Sequence, residues 1–324
     1  MAISLTVKPR SAKSSKRFPL TLTLQGDAPT VLDLKKAIDH KANISVHRQR
    51  LTTIDKKLLD DDDKPLSQFS LHDGDSLEVK DLGPQVAWKT VFGPLFIHPL
   101  FYFSRSLIYR RDFEHSHMQT LALYLVLAHY AKRELETLFV HRFSSATMPF
   151  FNIFKNSGHY WGLSGLLLAA PLYGPWNGSS ALEGSIRDSN VWLYGWTTVW
   201  VYAEVSNLVT HLNLSSLRPA GTKIRRIPQG YGFNLVSCAN YFFETIAWVA
   251  FTALTGNWAA ALFTAVAVAQ MYVWALKKHR RYRKEFGGKY PRGRKGAHSA
   301  SLNLREIATV KAHESVGSFL EAAP

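Results

Sequence analysis

The sequence predicts a small β-grasp α+β domain followed by a multi-pass α-helical membrane bundle of about six to seven transmembrane helices. Two observations predict this combination. Residues 1–85 are polar, with short stretches in which apolar and polar residues alternate. From about Ala87 onward, long apolar runs are separated by basic loops. The formal net charge of +15 is concentrated at the ends of these runs, which favours a membrane topology and phosphate binding over nucleic-acid binding.

The first domain is expected to cover residues 1–83. Period-two alternation in ISLTVK (3–8), PLTLTL (19–24), HRQRLT (47–52) and DSLEVK (75–80) predicts four strands. Thr30, before VLDLKKAI, is a candidate N-cap of an amphipathic helix between the second and third strands. This order, with the RQRLT segment and the HDGDSLEV turn, resembles ubiquitin-like domains. Another α+β domain is the alternative.

The membrane domain is expected over residues 84–295, followed by a polar tail at 296–324 that is expected to be disordered. A membrane-spanning helix needs about 20 apolar residues, so the first two apolar segments are marginal and the last three are good candidates. The six predicted segments are Phe92–Tyr109, Thr120–Tyr130, Gly158–Trp176, Val191–Leu212, Leu235–Thr255 and Trp258–Leu276.

A charged cluster lies between apolar flanks in the stretch 129–162. It includes Lys132, Arg133, Glu136, His141 and Arg142. Charges next to membrane-spanning segments are costly unless they serve a function or lie at the membrane surface. The cluster therefore predicts a site for an anionic ligand at the mouth of the bundle.

Polar residues also recur inside the fourth and fifth apolar segments. Glu204, Asn207 and His211 share one helix face, which predicts either a ligand-lined cavity or hydrogen bonds between helices. Tyr241 follows Asn240 directly. It is either a proton donor or an aromatic residue of the membrane interface.

The basic run KKHRRYRKEFGGKYPRGRK (277–295) follows the last segment. It predicts either a lipid-binding patch or a site for a phosphorylated cofactor, because arginine binds phosphate in a bidentate manner. The sequence has no dinucleotide-binding GxGxxG after a strand and no P-loop. A nucleotide would thus need a different kind of site. No Cys/His spacing typical of a metal site is found, so no metal is expected, and the single cysteine, Cys238, is interpreted as a buried core residue.

Several motifs together resemble the steroid 5α-reductase family, and within it the very-long-chain trans-2-enoyl-CoA reductases of the endoplasmic reticulum. The motifs are KRELETLFVHRFSSATMP (132–149), NIFKN (152–156), LRPAGTKIRRIP (217–228), VSCANYFFE (236–244) and the C-terminal basic run. The order of a ubiquitin-like domain and a membrane bundle also fits this group.

The resemblance implies roles for residues at matching positions. Tyr130 corresponds to a tyrosine that faces the reducible double bond, and Tyr241 is the alternative proton donor. Lys132 and Glu136 lie in a functionally sensitive motif and are counted with the catalytic residues. NADPH would be bound by Arg133, Asn207, His211, Arg218, Arg226, Asn240, His279 and Tyr282.

The activity implied is the NADPH-dependent reduction of trans-2-enoyl-CoA to saturated acyl-CoA. This is the last step of very-long-chain fatty-acid elongation, and it feeds sphingolipid synthesis. The implied partners are the condensing enzyme, the ketoacyl reductase, the dehydratase and the lipid bilayer, without nucleic acid. The implied location is the endoplasmic reticulum membrane, with the N-terminal domain and the C-terminal tail in the cytosol.

Two alternatives stay open. One is a related NADPH-dependent reductase acting on a sterol or polyprenol double bond. The other is a catalytically weakened membrane adaptor. The adaptor is favoured by the segment before GPL (93–95), where the family has a short Glu-Tyr-containing piece and this chain continues directly from VAWKTVF (86–92).

Overall fold

The computed structural model describes residues 2–10, 17–87, 94–142, 147–218, 226–291 and 293–294. The chain divides into two units, Met1–Trp88 with Ser145–Asn152, and Lys89–Ser144 with Ile153–Pro324. The junction just before GPL and the tail 296–324 lie outside the described residues.

The first unit contains a four-stranded mixed sheet. Its strands are β1 (Ala2–Pro9), β2 (Leu20–Gln25), β3 (Gln49–Thr53) and β4 (Ser76–Asp81), and helix α1 (Val31–Ala42) lies between β2 and β3 in the chain. The strand order is β2-β1-β4-β3. β1 is antiparallel to β2 and parallel to β4, while β3 and β4 are antiparallel. The four predicted strands and the predicted helix are therefore present in the predicted order.

Helix α1 begins at the predicted cap. The hydroxyl of Thr30 accepts a hydrogen bond from the backbone N–H of Asp33, and the Asp33 carboxylate accepts one from the backbone N–H of Thr30. This reciprocal capping box satisfies two N–H groups that a helix start leaves unpaired. The apolar face of α1 then packs with the sheet, since Leu34 and Ile38 share a fully buried cluster with Leu5.

A short two-stranded sheet in the first unit was not predicted from the sequence. Strand β5 (Gln85–Ala87) pairs antiparallel with β6 (Thr147–Pro149), and Val86 lies opposite Met148. Strands of three residues are too short to show a period-two pattern. The pairing explains why residues 145–152 group with the first unit.

The second unit is helical in its described part. Its helices are α2 (Pro94–Phe103), α3 (Arg105–Tyr109), α4 (His117–Leu135), α5 (Asn152–Ser157), α6 (Leu168–Leu172), α7 (Ser179–Leu182), α8 (Asn190–Ser216), α9 (Ala239–Thr255) and α10 (Trp258–Phe286). Two segments, Glu136–Val140 and Gly158–Leu167, are π-helical. One buried apolar cluster joins α4, α6, α8, α9 and α10, and α9 packs against α4, α8 and α10.

The apolar segments differ from their predicted bounds at several places, and the first of them is divided into α2 and α3. α10 continues through the basic run to Phe286, so this run is helical for ten residues beyond its predicted apolar end. The third segment is divided into a π-helical part, the short α6 and a turn. Among the described residues, one helix with its following turn, Trp258–Lys289, is long and apolar enough to span a membrane. The number of spans stays a prediction.

Candidate active site

The charged cluster at the end of α4 lies against α8 and α9. α4 starts at Ser116, whose side chain forms a capping box with Gln119, and it passes directly into the π-helical segment at Glu136. The wider π-turn changes the direction in which successive side chains project, and such turns are frequent at functional sites. Lys132, in the last turn of α4, and Glu136, at the start of the π-helical segment, both contact residues of α8.

Lys132 is the centre of the cluster. Its ammonium donates to Glu204 Oε2 at 2.9 Å and to Asn207 Oδ1 at 2.6 Å. The same nitrogen lies 3.3 Å from Glu136 Oε1. An ammonium group has three N–H donors and no acceptor, so these three oxygens face all of its donors.

Asn207 connects α8 to the start of α9. Its Nδ2 donates to the backbone carbonyl of Asn240 at 2.9 Å and to Glu244 Oε2 at 3.1 Å, while its Oδ1 accepts from Lys132. Both amide N–H groups are therefore used inside the protein. The sequence predicted Asn207 to contact the cofactor, and the geometry shows that it also fixes three elements to one another.

Glu136 is almost fully buried among cations. Arg133 Nη1 donates to its Oε2 at 3.0 Å, and His211 Nδ1 lies 3.0 Å from the same oxygen. Burial by itself would raise the pKa of the Glu136 carboxyl, but the adjacent His211 and the charges of Arg133 and Lys132 hold that pKa well below its usual range. Glu136 is thus a carboxylate at neutral pH.

His141 completes a group of three residues with metal-ligand chemistry. Burial, and then the charge of Arg133, lower the pKa of His141 to about 3, and its ring meets that of His211 edge to face. One ligand atom each from Glu136, His141 and His211 lies within 4.8 Å of the others. Both oxygens of Glu136, however, already face Lys132 or Arg133. A divalent cation would have to displace these charges, which disfavours a metal at this position.

Buried polar atoms without a partner indicate where a ligand fits. Asn240 Oδ1 forms no hydrogen bond with any residue that the structure describes, whereas His211 Nδ1 lies against Glu136 Oε2. Both side chains are about 6% exposed. An unpaired buried acceptor costs free energy unless something donates to it. The carboxamide of a nicotinamide has N–H donors suited to Asn240 Oδ1, so these residues fit the cofactor implied by the sequence.

Tyr130 lies one turn before the cations of α4 and is fully buried. Its hydroxyl is hydrogen-bonded to the hydroxyl of Ser164, which the second π-helical segment contributes. Its ring packs edge to face with His129 and is tilted against Trp248. The candidate proton donor is therefore held by a second hydroxyl.

Tyr241 lies in a different environment from Tyr130. It is half-buried, its ring is tilted against Trp274, and the Lys278 ammonium lies 5.9 Å from the ring centroid. The adjacent Cys238 is fully buried, as predicted for a core cysteine. The structure thus brings Tyr241 next to the basic end of α10.

His279 and Tyr282 belong to a second polar group at that end of α10. Ser237 is hydrogen-bonded to His279 Nδ1 at 2.6 Å and to the hydroxyl of Tyr290 at 2.7 Å. The Tyr282 ring contacts that of Tyr290, and the Arg294 guanidinium lies 5.3 Å from the Tyr290 ring centroid. The C-terminal motif is therefore folded back onto the residues before α9.

The two predicted phosphate-binding arginines lie in different surroundings. Arg218 donates to the carbonyl of Arg142 at 2.7 Å, and Arg142 donates to the carbonyl of Arg218 at 2.5 Å. This exchange places two guanidinium groups at the ends of the π-helical segment and α8. Arg226 is exposed, and no hydrogen bond or ion pair joins it to another described residue. The proposed role of Arg226 in phosphate binding therefore stays a prediction.

Three residues of the site, His129, Glu204 and Glu244, were not assigned a catalytic or cofactor-binding role from the sequence, although Glu204 was predicted to share the polar face of α8 with Asn207 and His211. His129 Nδ1 lies 2.7 Å from Glu204 Oε1, and His129 Nε2 lies 3.5 Å from Glu244 Oε1. A signal was present for two of them, because His129 is one turn before Lys132 and Glu204 is one turn before Asn207. Their mutual contact could not be inferred from either helix alone.

Comparison with known proteins places this fold and site in a class. The family model described as 3-oxo-5-alpha-steroid 4-dehydrogenase matches residues 146–297. A Schizosaccharomyces pombe protein whose name describes an enoyl reductase is 44% identical over 298 residues, 90% of this chain and 98% of its own. The Dictyostelium discoideum protein named very-long-chain enoyl-CoA reductase is 42% identical over 282 residues, 82% of this chain and 90% of its own. The human trans-2,3-enoyl-CoA reductase-like protein is 32% identical over 230 residues, 65% of this chain and 60% of its own.

The helical unit is therefore that of a double-bond oxidoreductase of the steroid 5α-reductase type. Within that class, the chain belongs to the very-long-chain enoyl-CoA reductase family.

Proposed function

We propose that this protein reduces trans-2-enoyl-CoA to saturated acyl-CoA with NADPH. The observation that carries the proposal is the 42% identity, across most of both chains, with a protein named very-long-chain enoyl-CoA reductase. The buried cluster around Lys132 supports it, because Asn207, which accepts from Lys132, lies within residues 146–297, the part of the chain that the reductase family model matches.

The residues proposed to hold NADPH fall into two groups. Asn240 has a buried side-chain oxygen, without a hydrogen-bond donor among the described residues, that suits the nicotinamide end, and the buried His211 is proposed to lie beside it. Arg133, Arg218, His279 and Tyr282 lie on the elements around the cluster and offer cations and donors for phosphates and ribose. NADPH, when bound, supplies the hydride for Cβ of the substrate.

A tyrosine of the chain, or a water molecule, would supply the proton for Cα. A tyrosine hydroxyl is neutral at pH 7 and can donate to a developing carbanion. Tyr130 and Tyr241 are the two candidates, and the Ser164 hydroxyl holds that of Tyr130 in one orientation. A donor close to the thioester oxygen would also stabilise the negative charge that develops there. Lys132 forms ion pairs with Glu136 and Glu204. Because these charges are already paired, Lys132 and Glu136 are proposed to position the neighbouring groups.

The activity can be tested directly with the purified full chain in detergent. A long trans-2-enoyl-CoA and NADPH deuterated at the nicotinamide C4 are incubated with the protein, and the products are analysed by mass spectrometry. We expect saturated acyl-CoA with deuterium at Cβ. A parallel reaction contains a sterol or polyprenol with a reducible double bond, since the matched family is described by a steroid substrate. Turnover of that compound alone would replace the proposed substrate, and turnover of neither would favour the adaptor.

The proposed location is the endoplasmic reticulum membrane, crossed several times. The helix α10 supports a membrane location, because with its following turn it is long and apolar enough for one span. Large apolar side chains such as Val191, Tyr202 and Val205 are exposed along α8, as expected for contact with lipid. Working with a condensing enzyme, a ketoacyl reductase and a dehydratase, the protein would complete fatty-acid elongation and supply sphingolipid synthesis.

The first unit is proposed to be a ubiquitin-like β-grasp domain on the cytosolic side. Its mixed four-stranded sheet, with one helix between the second and third strands, supports this assignment. We expect it to serve protein contacts, because the candidate active site is built entirely from residues of the helical unit.

A further inference from the structure

Five side chains from three helices form a closed ring next to the proposed cofactor site. Glu204 contacts His129 (2.7 Å), His129 contacts Glu244 (3.5 Å), and Glu244 accepts from Asn207 (3.1 Å). Asn207 accepts from Lys132 (2.6 Å), which donates back to Glu204 (2.9 Å). Each member thus has two neighbours in the ring. Asn207 and Lys132 already have proposed roles, whereas Glu204 has none.

We infer that Glu204 is a positioning residue that holds Lys132, and through it Asn207, in the arrangement that binds the cofactor. This inference rests on the proposed use of NADPH. Glu204 is 5% exposed, and its two oxygens contact residues that lie one turn apart on α4. A buried carboxylate is costly unless it is paired and hydrogen-bonded. Two partners from the same helix face fix both its position and its rotation.

Lys132 depends on this carboxylate for its own position. A lysine side chain has four flexible carbons, and its ammonium has one other carboxylate nearby, Glu136 Oε1, which has no directed hydrogen bond from a described residue. Without the charge of Glu204, the ammonium is expected to move towards Glu136. Asn207 Oδ1 would then lose its donor.

The orientation of the Asn207 amide follows from its neighbours. Its Oδ1 faces an ammonium, which can only donate, and its Nδ2 faces a carbonyl and a carboxylate, which accept. Loss of the ammonium removes one of the three contacts that hold the Asn207 side chain in place. The side chain would then be held less firmly against the backbone carbonyl of Asn240, the residue whose Oδ1 is proposed to receive the nicotinamide.

The test is a double-mutant cycle on the full chain in detergent. Glu204→Gln, Lys132→Met and the double variant are titrated with NADPH, and the dissociation constant is read from nucleotide fluorescence without acyl-CoA. We expect Glu204→Gln to weaken NADPH binding by at least about fivefold, and to have no further effect in the Lys132→Met background. Glu204→Asp, which keeps the charge, should restore part of the affinity. Glu183→Gln, an exposed glutamate outside the ring, is the matched control.

Two results would overturn the inference. One is unchanged NADPH binding in Glu204→Gln. The other is a double variant in which the losses of affinity of the two single variants multiply. If Glu204→Gln does not fold, the double variant is used instead, because it removes both charges of the pair. The inference then requires that the double variant and Lys132→Met have the same dissociation constant for NADPH. A protein that does not reduce enoyl-CoA would refute the proposed substrate. The NADPH titration would still be a valid test of Glu204, because it contains no acyl-CoA.

Discussion

Lys132 Nζ lies 2.6 Å from Asn207 Oδ1, although 75 positions separate the two residues. The contact joins the charged end of α4 to the polar face of α8. Each of these features is visible in the sequence as a local pattern. Their contact turns two separate patterns into one site, and the following predictions test its parts.

The proton donor is tested by removing one hydroxyl at a time. Tyr130→Phe or Tyr241→Phe is expected to lower turnover by about 10²–10⁴-fold, because general acid catalysis contributes roughly that amount. NADPH binding should persist in both variants, since the ring remains. Tyr194→Phe, an exposed tyrosine on α8, is the control. Full activity of both single variants in the acyl-CoA assay would exclude a tyrosine acid.

Arg218 is expected to bind a cofactor phosphate. Arg218→Ala should raise the KM for NADPH by roughly tenfold, because a charge-assisted hydrogen bond contributes about 1.5–3 kcal/mol, while kcat stays nearly constant. Steady-state kinetics at saturating acyl-CoA measures both constants. The control is Arg111→Ala, an exposed arginine in the helical unit. An unchanged KM would remove Arg218 from the phosphate site.

The side-chain oxygen of Asn240 is proposed to bind NADPH and is not expected to stabilise the folded protein. Asn240→Ala removes a buried acceptor that has no partner among the described residues, so the thermal unfolding midpoint should stay the same or rise. The dissociation constant for NADPH should increase by about five- to tenfold, as expected for one lost hydrogen bond. Asn190→Ala, at the far end of α8, is compared in the same titration. A large loss of stability with normal binding would contradict the assignment.

Ser164 is predicted to hold Tyr130 by their hydroxyl contact. Ser164→Ala leaves the buried Tyr130 hydroxyl without this partner, which should cost about 1–3 kcal/mol in the free energy of unfolding. The double variant with Tyr130→Phe removes both polar groups and should regain much of that stability. Denaturant unfolding of the two single variants and the double variant measures the coupling. Additive losses would show that the two hydroxyls act independently.

His141 is expected to make stability depend on pH. Its pKa is lowered to about 3 in the folded protein by burial and by Arg133, whereas a free histidine titrates near ~6.5. Between these values the unfolded chain binds the proton and the folded chain does not, so stability falls as the pH drops below about 6.5. His141→Gln should make the fall of the unfolding midpoint between about pH 7 and 5 shallower. The control is His117→Gln, at an exposed position, which should leave the change of the unfolding midpoint with pH as it is in the unchanged protein. If both variants show the same change with pH, the prediction is wrong.

Much of the fold was predictable because it depends on local patterns. The four strands, the Thr30 cap and the long helices α8, α9 and α10 follow from periodicity and capping residues that are adjacent in the chain. The short sheet of β5 and β6 was missed, because three-residue strands have no detectable period. The π-helical segments were also missed, since no simple residue pattern distinguishes a π-turn from an α-turn.

The sequence by itself determined the family, the polar face of α8 and the charged cluster from Lys132 to Arg142, since each depends on residue identity and spacing along one element. Only the tertiary structure decided that Glu204 faces His129 and Lys132, and that the side-chain N–H groups of Asn207 are hydrogen-bonded inside the protein. The physical reason is that a hydrogen bond requires two atoms about 3 Å apart in a suitable direction. For residues on different helices, the packing of α4, α8 and α9 sets that distance, and the pattern within each helix does not.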